Sequence, residues 1–352
     1  MAPEAASTGE CTLVVDLAAR SKNWALTPEG ERRIVEEAPA GWRVQIVRSP
    51  TSSDGDGPPR PSDEVLDAIR EADAYFGFGI PRVLFLEAKQ LRWVHSAAAG
   101  VGSALYPEML QSSVAFTNSA GIHAIPIAEY VVASVLHFLR GFDFSIDQQR
   151  RLEWNKTPFV RLDSVLREMD SVRALIVGTG GIGMAVAERL AALGAQCTGV
   201  RRRVELGAPS GFHRVIGLDQ IDAALSTHDV VVLAAPLTGE TGGLLTAERL
   251  DLLPASAIVV NVARGALLDE AALVTRLRDG RLRGAALDVF REEPLDPSSE
   301  LWQLPQVLLT PHVSPVSPGR FWPRQLDLFL DNWRRLTTGK PLRNLVDKQA
   351  GY

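Results

Sequence analysis

Short apolar runs recur along the chain, separated by stretches in which apolar residues return every three or four positions. Thr12 to Leu17, Trp42 to Val47, Ala74 to Phe78, Leu91 to His95 and Val114 to Thr117 read as β-strands, with amphipathic helices between several of them. Strands alternating with helices predict a parallel sheet with helical crossovers. The segment Pro50 to Pro61, dense in Ser, Asp, Gly and Pro, reads as a surface loop inside this series, because the alternation resumes after it.

A second series begins at Val172. Arg173 to Val177, Cys197 to Val200, Val230 to Ala234, Ala257 to Val262, Gly284 to Val289 and Val307 to Leu309 predict six strands with helices between them, the pattern of a doubly wound dinucleotide fold. The apolar helix Leu326 to Leu336 comes too late to belong to that sheet and is expected to return and cover the first domain. The fold class is therefore α/β, with two Rossmann-like doubly wound domains. Residues 1–118 form the first part of a flavodoxin-like domain, 119–314 an inserted dinucleotide-binding domain, and 315–352 the return.

Bulk properties narrow the function classes. At 352 residues the chain exceeds what one core usually supports. A formal net charge of -5 gives no electrostatic reason to expect nucleic-acid binding. The two cysteines, Cys11 and Cys197, are too few for a disulfide framework and lack metal-site spacing, which points to a reducing compartment and to small core residues. The most apolar segment, Ala128 to Leu139, is interrupted by Glu129, Tyr130, Ser134 and His137 and reads as a buried helix, not a membrane span. Met1 to Glu10 lack the basic start and apolar run of a secretory signal and read as a loose tail, so a cytoplasmic protein is expected.

The run Gly178-Thr179-Gly180-Gly181-Ile182-Gly183 fits G-x-G-x-x-G directly after an apolar strand and before the helical run Met184 to Leu193. Gly178 suits the tight strand-to-helix turn, Gly180 lets backbone approach a pyrophosphate, and Gly183 permits close helix packing. Gly181, Ile182 and Gly183 open the helix, where unpaired amides and the positive dipole end favour phosphate. At the end of the next strand an NAD enzyme places a carboxylate for the ribose hydroxyls; here stand Arg201, Arg202 and Arg203. Guanidinium groups pair with a 2′-phosphate, so NADP is the preferred cofactor and NAD the second candidate, against the plainer reading of a solvated basic corner.

From about Trp93 onward the chain resembles the D-2-hydroxyacid dehydrogenase family, and most closely its glyoxylate and hydroxypyruvate reductase branch. The resemblance rests on Trp93-Val94-His95-Ser96-Ala97-Ala98-Ala99-Gly100-Val101, Thr117-Asn118 with Gly121-Ile122-His123-Ala124 and Ala128-Glu129, then the glycine loop. It continues through Ala235-Pro236-Leu237-Thr238 with Glu240-Thr241, Val260-Asn261-Val262-Ala263-Arg264-Gly265 and Ala286-Leu287-Asp288-Val289-Phe290 with Glu293-Pro294-Leu295. Leu301-Trp302 and Thr310-Pro311-His312 complete it. It implies an oxidoreductase moving a hydride between nicotinamide and a small 2-oxo acid, and a homodimer formed through the dinucleotide domain.

Reducing a 2-oxo acid puts negative charge on the carbonyl oxygen, so a proton donor must sit within hydrogen-bond reach. By resemblance His312 is that donor, Glu293 the carboxylate that holds its ring, and Arg264 the planar cation facing substrate carboxylate and carbonyl. Taken singly, each has a bland alternative: a loop histidine, a solvated acidic turn, a loop cation. The resemblance further implies that backbone at Ala99, Gly100 and Val101 receives the substrate carboxylate, that Asp288 meets the nicotinamide carboxamide, and that Pro236, Thr238 and Val262 line the cofactor cleft. For these the alternatives are a tight turn, a helix cap and simple packing. His95 and His123 read as structural, and Trp154 either reaches a partner subunit or packs in the core.

The chain departs from the family pattern at the proline-rich Val313-Ser314-Pro315-Val316-Ser317-Pro318 and at Gly102, where many members carry Asp; both bear on substrate identity. Two other classes share much of the motif set. An NAD(H)-sensing corepressor-like binding protein would bind cofactor without turnover, and the basic Arg201 to Arg203 run suits a reductase better. Formate oxidation is opposed by the acidic Glu293, since that branch carries an amide there.

Overall fold

The computed structural model describes residues 10–19, 24–51, 60–160 and 166–351. Most of the expected tail Met1 to Glu10 and most of the expected loop Pro50 to Pro61 lie outside the described residues. The chain forms two compact units, with boundaries between Ile122 and His123 and between Val316 and Ser317.

The first unit carries five parallel strands: β1 (Cys11–Asp16), β2 (Trp42–Ile46), β3 (Ala74–Gly77), β4 (Trp93–Ser96) and β5 (Ala115–Thr117). Their order, β2-β1-β3-β4-β5, is the flavodoxin-like doubly wound order. β1, β3 and β4 are buried almost throughout, which is why Leu13–Val15, Ala74–Phe76 and Trp93–Val94 run apolar without alternation. The helix Phe321–Thr337 belongs to this unit and buries Trp322, Leu326, Phe329, Leu330 and Trp333, spaced at helical intervals. Phe329 stacks on Phe76 with ring centroids 4.0 Å apart and on Trp93 at 5.4 Å. The helix begins at Phe321, earlier than Leu326, because Pro323 falls in the first turn, where its missing N–H costs nothing.

The second unit carries seven parallel strands, not six: β6 (Arg173–Val177), β7 (Gln196–Val200), β8 (Arg214–Ile216), β9 (Val230–Leu233), β10 (Ile258–Asn261), β11 (Gly284–Leu287) and β12 (Val307–Leu309). Their order is β12-β11-β10-β9-β6-β7-β8, doubly wound with the reversal between β6 and β9. The unforeseen β8 is a three-residue edge strand that opens on exposed Arg214, too short to show a period. The helix Ala124–Leu139 packs its apolar face into this unit's core, as its composition implied. Among the described residues no single helix is long and apolar enough to cross a membrane.

Candidate active site

The glycine loop leaves the end of β6 at the point where the sheet order reverses. Gly178 has φ +98°, in the left-handed region that side chains disfavour, and a Cβ there would lie 2.7 Å from the Ala234 carbonyl oxygen. A Cβ on Gly183 would meet the Gly178 carbonyl oxygen at 1.9 Å, so the helix Gly181–Ala192 packs as tightly as the motif implied. At Gly180 a Cβ would meet nothing within 4 Å. That open backbone, followed by a helix N-terminus without a side-chain cap, is the shape and polarity a pyrophosphate requires.

Beyond β7, Arg201 is half-buried and donates through Nη1 to the Gly207 carbonyl at 3.1 Å. Arg202 is exposed and pairs with Glu240 at 3.0 Å. Glu240 sits on the turn that follows β9, which Thr241 Oγ1 closes by donating to the Pro236 carbonyl at 2.6 Å. Thr238 is part of this turn, its amide donating to Thr241 Oγ1 at 2.8 Å. Pro236 is exposed, and Val262 is buried at the end of β10.

Three other strand ends bring the remaining residues together. β10, β11 and β12 are adjacent and end level, Asn261 beside Leu287 and Leu287 beside Leu309. Parallel strands stand about 4.8 Å apart, so side chains leaving these ends share one edge of the sheet. Arg264 follows β10, Glu293 follows β11 and His312 follows β12. The wholly buried Asn261 shapes the turn before Arg264, donating from Nδ2 to the Arg264 carbonyl at 2.9 Å and accepting from the Ala263 amide at 3.1 Å. A Cβ on Gly265 would sit 1.9 Å from the Phe290 carbonyl carbon, so the turn after β11 presses directly on the backbone beside Arg264.

That contact sets the geometry of the pair. Glu293 Oε1 accepts from the Phe290 amide at 3.0 Å, and its Oε2 lies 2.9 Å from His312 Nδ1. Partial burial pushes the Glu293 carboxyl up, but the Phe290 amide, the His312 ring and the charge of Arg264 together hold it below its ordinary value. The carboxylate is therefore the form present at neutral pH, and it is lost only as pH falls through that lowered value. His312 is a little under half exposed and has φ +54°, an unusual conformation for a side-chain-bearing residue.

Two supports of this geometry were not foreseen. Asp288, expected to meet the nicotinamide carboxamide, is wholly buried and holds the turn after β12. Its Oδ1 accepts from Thr310 Oγ1 at 2.6 Å and the Val313 amide at 2.8 Å, its Oδ2 from the Ser314 amide at 2.9 Å. Its carbonyl also accepts the His312 amide at 2.8 Å, so Asp288 anchors the strained turn that presents His312. Glu270, the first residue of the helix Glu270–Arg278, accepts the Arg291 amide at 2.6 Å and fixes the turn that carries Glu293. Asp288→Asn replaces one acceptor oxygen with an NH2 that must face either the Val313 or the Ser314 N–H. Leaving a buried donor unsatisfied costs about 1–3 kcal/mol, so kcat should fall about tenfold or more with unchanged NADPH affinity, checked by steady-state kinetics beside cofactor titration.

Trp154 is not a core residue: it is 91% exposed, and its neighbour Leu152 is 94% exposed. Ala99 and Gly100 are exposed and Val101 is buried, in the loop after β4 of the first unit.

Residues 132–314 match the family model described as D-isomer specific 2-hydroxyacid dehydrogenase, NAD binding domain. The glyoxylate/hydroxypyruvate reductase A of Salmonella newport (strain SL254) is 34% identical over 281 residues, covering 77% of this chain and 85% of that protein. Among solved structures, a D-isomer specific 2-hydroxyacid dehydrogenase from Xanthobacter autotrophicus Py2, in complex with NADPH and MES, superposes with a TM-score of 0.77. It is 28% identical and covers 98% of this chain and 100% of its own. An NADPH-dependent glyoxylate/hydroxypyruvate reductase from Sinorhizobium meliloti, in complex with NADP and sulfate, gives a TM-score of 0.74 at 26% identity, covering 97% of this chain and 100% of its own. The motifs along the sequence, the two doubly wound sheets and these likenesses agree: the chain belongs to the D-isomer specific 2-hydroxyacid dehydrogenase family.

Proposed function

We propose that this protein reduces a small 2-oxo acid, glyoxylate or hydroxypyruvate in the first instance, with NADPH as hydride donor, Arg264, Glu293 and His312 being the catalytic group. The observation that carries this reading is the 2.9 Å contact between His312 Nδ1 and Glu293 on strand ends adjoining that of Arg264. The open backbone at Gly180 and the helix N-terminus at Gly181, Ile182 and Gly183 fit the pyrophosphate, with Pro236, Thr238 and Val262 alongside. When bound, NADPH supplies a hydride to the carbonyl carbon and is left as NADP+. Glu293 occupies His312 Nδ1, which leaves Nε2 to deliver the proton to the carbonyl oxygen. Arg264 holds the carboxylate and counters the charge that grows on that oxygen, and the backbone of the exposed Ala99 and Gly100 and of the buried Val101 is the proposed receiver of the carboxylate in the first unit. Asp288 acts through the turn it anchors. Mixing the purified protein with NADPH and each 2-oxo acid should consume NADPH; no consumption with any of them would overturn the proposal.

Arg201 and Arg202 are the proposed partners of the 2′-phosphate. Arg202 is shared with Glu240, so Arg201 carries most of the discrimination. Hydrogen bonds to charged groups contribute about 1.5–3 kcal/mol, so Arg201→Asp should lower the kcat/KM ratio of NADPH to NADH by about 10- to 100-fold. An unchanged ratio removes Arg201 from cofactor choice.

A homodimer and a cytoplasmic location complete the proposal. Leu152, Trp154 and Val160 are 94%, 91% and 73% exposed on the segment 142–160 of the second unit, an apolar surface of the kind that a second copy covers. Cys11 and Cys197 are unpaired thiols, as a reducing compartment leaves them.

A further inference from the structure

We propose that Tyr130 is a positioning residue for proton delivery: through Thr310 and Asp288 its phenol fixes the turn that presents His312. This rests on the reductase reading above, and every group in it belongs to the second unit. Thr310 directly follows β12, opens the turn and has one hydroxyl proton to give. The Asp288 carboxylate, 2.6 Å from Thr310 Oγ1, takes that proton, so the Tyr130 phenol at 3.0 Å is the donor to the same oxygen. A chain of two hydrogen bonds thus runs from the helix Ala124–Leu139 to the residue that accepts the His312, Val313 and Ser314 amides.

The turn is braced from outside because its own donors are already committed. The Thr310 amide goes to the Leu287 carbonyl at 3.1 Å, those of His312, Val313 and Ser314 go to Asp288, and Pro311 and Pro315 have none to give. What a neighbour can still hold is the accepting side of the turn. One helix does so at both ends: Tyr130 at Thr310, and His123, the N-cap of the same helix, whose ring Nδ1 lies 3.2 Å from the Pro315 carbonyl. A carbonyl only accepts, so that Nδ1 carries the proton. His312 stands between these two points with φ +54°, and a residue in the left-handed region keeps its place only where its surroundings over-determine it. The Tyr130 ring packs against the core of the second unit, which fixes the origin of the brace. Partial burial also pushes its phenol above the ordinary value, so the donor keeps its proton at neutral pH. A phenylalanine would fill the same core; only the hydroxyl reaches the turn.

The test is Tyr130→Phe, measured as kcat and KM with NADPH and the 2-oxo acid that the wild type turns over fastest. Losing one hydrogen bond of the brace should lower kcat about three- to tenfold, with KM and NADPH affinity within about twofold of the wild type. Thr310→Val removes the middle of the chain, and adding Tyr130→Phe to it should cost nothing further. In the His312→Ala background Tyr130→Phe should likewise leave the residual kcat unchanged, because the brace acts only through the imidazole. A hydroxyl that served packing alone would lower the unfolding temperature and leave kcat where it was; that result, or losses that multiply in either double variant, overturns the role. Absence of wild-type turnover on every 2-oxo acid instead sinks the reductase reading itself, and the role with it, so the two failures are distinguishable.

Discussion

His312→Ala should lower kcat for 2-oxo acid reduction by about 10²- to 10⁴-fold, the usual worth of a positioned general acid, while NADPH binding stays near the wild-type value. That loss corresponds to about 2.7–5.5 kcal/mol of transition-state stabilisation. It falls on kcat because proton delivery is needed only as negative charge develops on the carbonyl oxygen. The glycine loop and the basic corner lie at the ends of other strands, β6 and β7, so cofactor affinity reports independently on folding. Glu293→Gln provides the companion measurement. The carboxylate is held ionised at 2.9 Å from Nδ1, and an amide there no longer favours the charged ring. The kcat for reduction should therefore fall in this variant while NADPH binding stays near the wild-type value. Wild-type kcat in His312→Ala would remove the imidazole from the reaction.

Much of this arrangement was legible in the chain. Parallel strands buried on both faces are continuous apolar runs, as Ala174–Val177 in β6, Val230–Leu233 in β9 and Ile258–Val260 in β10 are. The glycine loop was legible because its spacing encodes local geometry: Gly178 turns, and Gly183 packs on it within the same motif. Arg264, Glu293 and His312 were recognisable only as members of separate motifs. What makes them a group is that β10, β11 and β12 lie side by side, and that adjacency is a property of the sheet.

The residues that hold the group were harder to see because their partners are distant in sequence or are backbone. Asp288 looks like a cofactor contact at a strand end, and only the fold shows three amide and hydroxyl donors of the 310–314 turn converging on it. Glu270 reads as an ordinary first-turn acid of a helix, yet its carboxylate takes the Arg291 amide. β8 escaped because three edge residues carry no period. Trp154 could not be placed from composition, since an aromatic residue suits a core and an interface equally, and its 91% exposure settles the matter against the core.

Gly265→Ala should abolish most activity while sparing the cofactor site. The added Cβ would fall 1.9 Å from the Phe290 carbonyl carbon and 2.2 Å from the Arg291 nitrogen, and both are backbone atoms that no rotamer change can move aside. The turn after β11 must then retreat by an ångström or more, and with it the Phe290 amide that orients Glu293 and the Arg291 amide held by Glu270. Misplacing catalytic groups by about 1 Å costs on the order of 10²-fold, so kcat/KM should fall by at least that factor. Gly183→Ala makes the contrast: its Cβ would meet the Gly178 carbonyl oxygen at 1.9 Å, inside the glycine loop, and NADPH affinity should collapse. Measured together, the two alanines should separate, one losing turnover with cofactor still bound and the other losing the cofactor. Equal loss of cofactor binding in both variants would mean that Gly265 supports the whole unit and not the junction between Arg264 and Glu293.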